Sequence, residues 1–123
     1  MMDPDAFARD WVATWNARDV ERVLAHYRDD ARFVSPTATR VTGSPIVEGK
    51  AALRAYWTKA LTLIGALTFS LDHAVWDERR RELVIVYNRD IAGKRDRACE
   101  IFRFDEDGLV SGGEALYGVE LPG

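Results

Sequence analysis

The sequence predicts an α+β fold, with helices gathered in the first half of the chain and strands in the second. Up to Ile64 the apolar residues recur every third or fourth position, as on one face of a helix. Beyond Gly65 they alternate within segments rich in β-branched and aromatic residues. The links between those segments are too short for crossover helices, so the strands are expected to be antiparallel neighbours.

The first helix starts at Asp3, a capping residue, with Pro4 at its first position. Phe7, Trp11 and Trp15 then recur every fourth residue, flanked by Ala8 and Val12, giving one broad aromatic face. "NARD" breaks it, and Asp19 caps a second helix whose stripe is Val20, Val23, Leu24 and Tyr27, ending near "RDD". The two are expected to form a hairpin. "ARFVS" reads as a short strand, and "PTATRVTGSPIVEG" as a long loop with room for a brief extended piece. A third helix, "KAALRAYWTKALTLI", buries Leu53, Trp57, Ala60, Leu61 and Ile64 and stops at Gly65. Four strands follow, "LTFSLDHAVW", "ELVIVYNRDI", "KRDRACEIFRF" and "GLVSGGEALYGVEL", separated by "DERRR", "AG" and "DEDG".

A chain of 123 residues, about half of them apolar, suits one domain spanning 1–123. Its 17 basic and 20 acidic residues leave a net charge of −3, and the arginines are scattered, so nucleic acid is not an expected partner. The acidic start lacks a signal-peptide pattern and no apolar run is long enough to span a bilayer. A cytoplasmic protein with no membrane partner is therefore expected. One cysteine, Cys99, and two histidines supply a metal site poorly, and neither metal nor cofactor is expected.

The residue that breaks the pattern is Glu100. In "RACEIFRFDEDGLV" strand alternation puts Ala98, Glu100, Phe102 and Phe104 on one side, so an acid stands on an aromatic face. Burial raises a carboxyl pKa, which would keep Glu100 protonated as a hydrogen-bond donor to a ligand carbonyl. A structural acid bonded to Trp11, a tyrosine or a buried water is the other reading; both require a partner.

The order of elements, with "WNARDVERVLAHYRDDARFVSP" near the front and "EIFRFDEDGLV" near the back, resembles the superfamily of nuclear transport factor 2, ketosteroid isomerase and the SnoaL-like polyketide cyclases. The resemblance covers nearly the whole chain. It implies a cone-shaped, cystatin-like fold in which three N-terminal helices pack on a curved, mostly antiparallel sheet around an apolar pocket. It also implies pairing of two copies through the outer face of the sheet. Function does not follow from the fold, which carries isomerases, hydrolases, cyclases and binding modules alike.

Ketosteroid isomerase combines an aspartate base with an oxyanion hole made of a tyrosine and a neutral aspartic acid. On this chain the resemblance sets Trp11 at the tyrosine, Ser35 at the base and Glu100 at the neutral acid. An indole N–H is far less acidic than a phenol, and a serine without a neighbouring histidine or lysine is a poor base. Steroid isomerase activity is therefore expected to be absent. The strand acid of the cyclases falls on Ala115, and the last strand sends Gly113, Ala115 and Tyr117 toward the pocket. With Trp11, Trp15, Tyr27, Ser35, Trp57 and Phe102 these outline the expected binding site, and Glu100 is the one catalytic candidate, as proton donor or oxyanion stabiliser.

The expected function is binding of a small apolar ligand, aromatic or polycyclic, with isomerase- or cyclase-like chemistry open. The competing reading is a dimerisation module whose pocket is filled by its own side chains. A Ser35–His26 pair is the one nucleophile and base within reach, but His26 reads more simply as a packed helix residue. Gly112 and Gly113 are expected to leave space or a bend in the last strand.

Overall fold

A computed structural model of the protein describes residues 2–122. The chain runs α1 (Pro4–Asn16), α2 (Val20–Leu24), β1 (Tyr27–Val34), α3 (Pro36–Thr42), β2 (Ile46–Glu48), α4 (Lys50–Ile64), β3 (Leu67–Asp77), β4 (Glu82–Ile91), β5 (Lys94–Phe104) and β6 (Val110–Glu120). The strands form one open sheet in the order β2-β1-β6-β5-β4-β3. Every neighbouring pair is antiparallel except β1 with β6, which is parallel.

α1 begins as its sequence dictates, with the Asp3 carboxylate accepting the Ala6 N–H at 3.0 Å and Pro4 filling the first turn. Its aromatic stripe is buried, and its end is fixed by Asn16, whose side-chain amide exchanges two hydrogen bonds with the backbone of Phe69 on β3. Arg18, at φ 58°, reaches the last turn of α4 and donates to the Leu61 and Gly65 carbonyls. The "WNAR" stretch thus bolts the first helix to both the sheet and the last helix.

Two expectations are corrected. The second helix stops at Leu24, and Tyr27 opens β1 instead of closing a helical stripe, because it pairs with Val110 of β6. Helical spacing from Val23 and the start of a strand coincide at that residue. The long loop contains a fourth helix, α3, capped by Ser35, whose Oγ accepts the Thr37 N–H at 3.2 Å, with Pro36 in its first turn and Gly43 ending it at φ 86°. Its threonines and valine are weak helix formers, so the caps carry it.

The ladder is interrupted between Leu71 and His73, Asp96 and Ala98, and Arg103 and Phe104, irregularities of the kind that bend a sheet. α1 lies across the inner face against β3, and α4 against β1. Between helices and sheet lies the core, led by Leu24, Leu53, Leu83, Ile85, Phe102 and Val110. Among the described residues no helix is long and apolar enough to cross a membrane.

Candidate functional site

Glu100 stands in the middle of β5, between Ile85 on β4 and Ala115 on β6, with its side chain on the inner face. Ala98, Phe102 and Phe104 share that buried face, and Glu100 itself is only 5% exposed. Among the described residues no side chain or backbone group hydrogen-bonds its carboxyl, which borders a cavity of about 80 Å³. Burial pushes its pKa up to about 8, against the pull of the Arg89 guanidinium. At neutral pH the group is a carboxylic acid with a proton to donate.

The cavity is narrow because aromatic rings close on it. Trp11 from α1 stacks on Phe69 from β3, with ring centres 5.5 Å apart, and Tyr87 from β4 leans on both. Trp15 meets Trp57 of α4 edge-on at 5.3 Å. Its polar wall is a knot of hydroxyls. Ser35 Oγ lies 3.3 Å from the Tyr117 hydroxyl and 3.4 Å from that of Tyr56, and Tyr117 reaches Thr37 Oγ1 at 3.0 Å. Burial pushes the Tyr56 phenol up to about 12, so it stays protonated. Arg89 closes the outer end, holding Asp96 through two bonds of 2.8 and 2.7 Å and stacking on the Tyr117 ring at 3.6 Å.

Two buried donors lack a partner among the described residues, Trp11 Nε1 and the Tyr27 hydroxyl. Burial and the nearby Glu100 carboxyl both raise the Tyr27 pKa, so this hydroxyl also keeps its proton. Buried polar groups without partners are rare and costly, and they point to an acceptor supplied from elsewhere, a water or a ligand.

Of the residues expected from sequence, Trp11, Trp15, Ser35, Trp57, Glu100 and Tyr117 meet around this one cavity. Tyr27, Phe102, Gly113 and Ala115 stand outside its lining. Tyr27 backs Trp57, with ring centres 5.4 Å apart, and Phe102 backs Trp11 at 5.8 Å. Gly113 leaves no space for a ligand: a Cβ there would lie 3.2 Å from the Phe33 ring and 3.3 Å from the Ile101 carbonyl. The glycine admits Phe33. His26 sits in the turn after α2 against the Phe7 ring and 3.5 Å from Asp10, while Ser35 is taken up by tyrosines, so the two form no nucleophile–base pair.

Tyr56, Phe69 and Tyr87, which the sequence reading did not assign to the site, border the cavity together with Arg89. The pattern carries a signal for three of these four. Tyr56 follows Leu53 by three on α4, and Tyr87 and Arg89 continue the inner parity of Leu83 and Ile85 on β4.

The arrangement supplies proton donors and no base. Glu100 when neutral and the hydroxyl knot can hold and polarise a carbonyl, whereas the Asp96 side chain is engaged by Arg89. Among the described residues no three His, Cys, Asp or Glu side chains gather to hold a metal.

A family model for the SnoaL-like domain matches residues 8–112. The fold is similar to that of a SnoaL-like protein of unknown function from Burkholderia thailandensis, at 31% identity over 93% of this chain and 92% of that one, with a TM-score of 0.81. It is also similar to a putative ketosteroid isomerase from Kribbella flavida, at 18% identity over 98% and 81% of the two chains, TM-score 0.75. A third is SalBIII, an epoxide hydrolase/cyclase-like enzyme of pyran ring formation in salinomycin, at 17% identity over 96% and 95%, TM-score 0.68. No protein of curated function matches the chain.

Proposed function

The chain belongs to the SnoaL-like domain family, and on that premise we propose that it binds a small, flat, largely apolar molecule bearing a carbonyl or similar acceptor. The observation that carries this reading is Glu100, buried, without a hydrogen-bond partner among the described residues, and bordering an aromatic cavity. A bound carbonyl would accept from it. With about 80 Å³ of open interior the pocket favours one or two rings over a steroid, unless its aromatic walls move. Any chemistry would be stabilisation of an enolate-like oxygen by Glu100, and the want of a base argues against steroid isomerisation.

A domain serving only to pair with others gains nothing from an unpartnered acid in an open cavity, which weighs against that alternative. Pairing itself is compatible with binding. On the outer face of the sheet Val75, Val84 and Ile101 line up across three strands, and Val86, Cys99 and Leu116 form a second row. Val75 and Leu116 are about half exposed. A second copy of the chain is the proposed cover, and sedimentation reads it: a dimer at micromolar concentration supports it and a monomer overturns it.

The ligand reading is tested by titrating one- and two-ring aromatic ketones and quinones against tryptophan fluorescence. Saturable quenching that weakens about tenfold in Glu100→Gln is expected, since a hydrogen bond is then exchanged for a poorer donor. Insensitivity to the whole panel would overturn it.

A further inference from the structure

Glu100 faces one end of the proposed ligand, and the mouth of the pocket faces the other. Outside the inner cavity lies a second one of about 530 Å³, and the two adjoin, sharing Thr37, Ile64, Arg89, Ile91 and Tyr117 in their walls. Its walls carry Arg40, Arg89, Lys94 and Arg95 against Asp96 and Glu120. That is a positive mouth on a chain whose net charge is −3.

Arg89 is the residue that joins the two spaces. Its side chain is 14% exposed, its Nε and Nη2 are spent on Asp96, and its flat face rests on Tyr117. Nη1 has no hydrogen-bond partner among the described residues. It is also not one of the fully enclosed unpartnered atoms, and the residue borders both spaces. A guanidinium carries five N–H donors in a rigid fork, and a second acceptor on the free edge completes it. Asp96 fixes the fork in advance, which removes the ordering cost a free arginine would pay on binding. Around it Arg40 and Lys94 have no ion-pair partner among the described residues, and Arg95 bonds only the Pro122 carbonyl.

We propose that the ligand is an amphipathic anion, whose carboxylate or ionised enol docks on the free edge of Arg89 while its apolar body lies between Trp11 and Trp57. This rests on the binding reading above and adds a substrate class to it. Charge-assisted bonds to a planar fork select such anions over neutral isosteres of the same shape. The exposed basic residues attract them without fixing their position.

The matched probes are 2-naphthoate and 2-naphthamide, equal in shape and different in charge, titrated by calorimetry into the full chain. The acid is expected to bind about tenfold more tightly at low salt, with the margin shrinking as ionic strength rises. Arg89→Gln is expected to abolish the margin between acid and amide. Should that variant not fold, the exposed pair Arg40→Gln and Lys94→Gln is expected to cut it about threefold. Equal binding of acid and amide to the parent overturns the anion inference and leaves the pocket reading standing. Binding of neither overturns both.

Discussion

Strand β5 carries two different interiors on one face. Toward its end Phe102 and Phe104 meet Phe7 edge-on, with ring centres 5.4 and 5.3 Å apart, in a part of the core built from apolar rings. Two residues earlier, on the same face, stands Glu100, and around it hydroxyls and a guanidinium join the aromatic rings. The closed half is held by packing, which rewards any well-fitting apolar side chain. In the polar half each group needs a specific partner, and among the described residues Trp11, Tyr27 and Glu100 have none. A stretch of interior that gives up stability in this way is where a binding site is expected.

Phe102→Ala should break the closed half and show the largest loss, about 3–5 kcal/mol of folding stability read from urea denaturation, since the ring is fully buried. A loss under about 1 kcal/mol would mean that this half does not carry the fold.

Glu100→Gln should move stability the other way, by an amount that grows as pH rises above about 5. The folded pKa is raised from 4.5 to about 8, so between those values the folded chain holds a proton that the unfolded chain releases. The protein therefore loses stability as pH rises through this window, and above it the deficit is complete. Arg89 on β4 faces the carboxyl and softens the effect, while Tyr27, Tyr56 and Tyr87, whose pKa values are all raised, stay neutral throughout. The glutamine variant should match the parent near pH 5 and exceed it by roughly 2–4 kcal/mol near pH 9. Parallel pH profiles for the two proteins would contradict this.

Tyr117→Phe should show the smallest change, about 0.5–1.5 kcal/mol, because the half-buried hydroxyl gives up its contacts with Ser35 and Thr37 while the ring still supports Arg89. A larger loss would make the hydroxyl knot a structural element instead of a pocket wall.

The two halves also differed in how far they could be read from sequence. Alternation located the four long strands and the inner parity of Glu100, Phe102 and Phe104, because a strand buried on one face writes its packing as a period of two. Capping signals fixed α1, where Asp3–Pro4 preceded a strong aromatic stripe. The same kind of signal, Ser35–Pro36 with Gly43 beyond, marked α3 but went unread, since seven residues rich in threonine carry no stripe. The site was legible only in part for a related reason. Trp11, Trp57 and Glu100 follow from periodicity, whereas their meeting with Phe69, Arg89 and Thr37 depends on how the sheet curves and where α3 lies, which no local pattern encodes.

Whether Glu100 is the neutral acid proposed to meet a ligand is read from its own titration. With glutamate carboxyl carbons labelled for NMR, one resonance, identified by its loss in Glu100→Gln, should titrate with a midpoint near 8 in the free protein. A midpoint near the ordinary value of 4.5 would show that the carboxyl is solvated or paired, and the site would lose its donor.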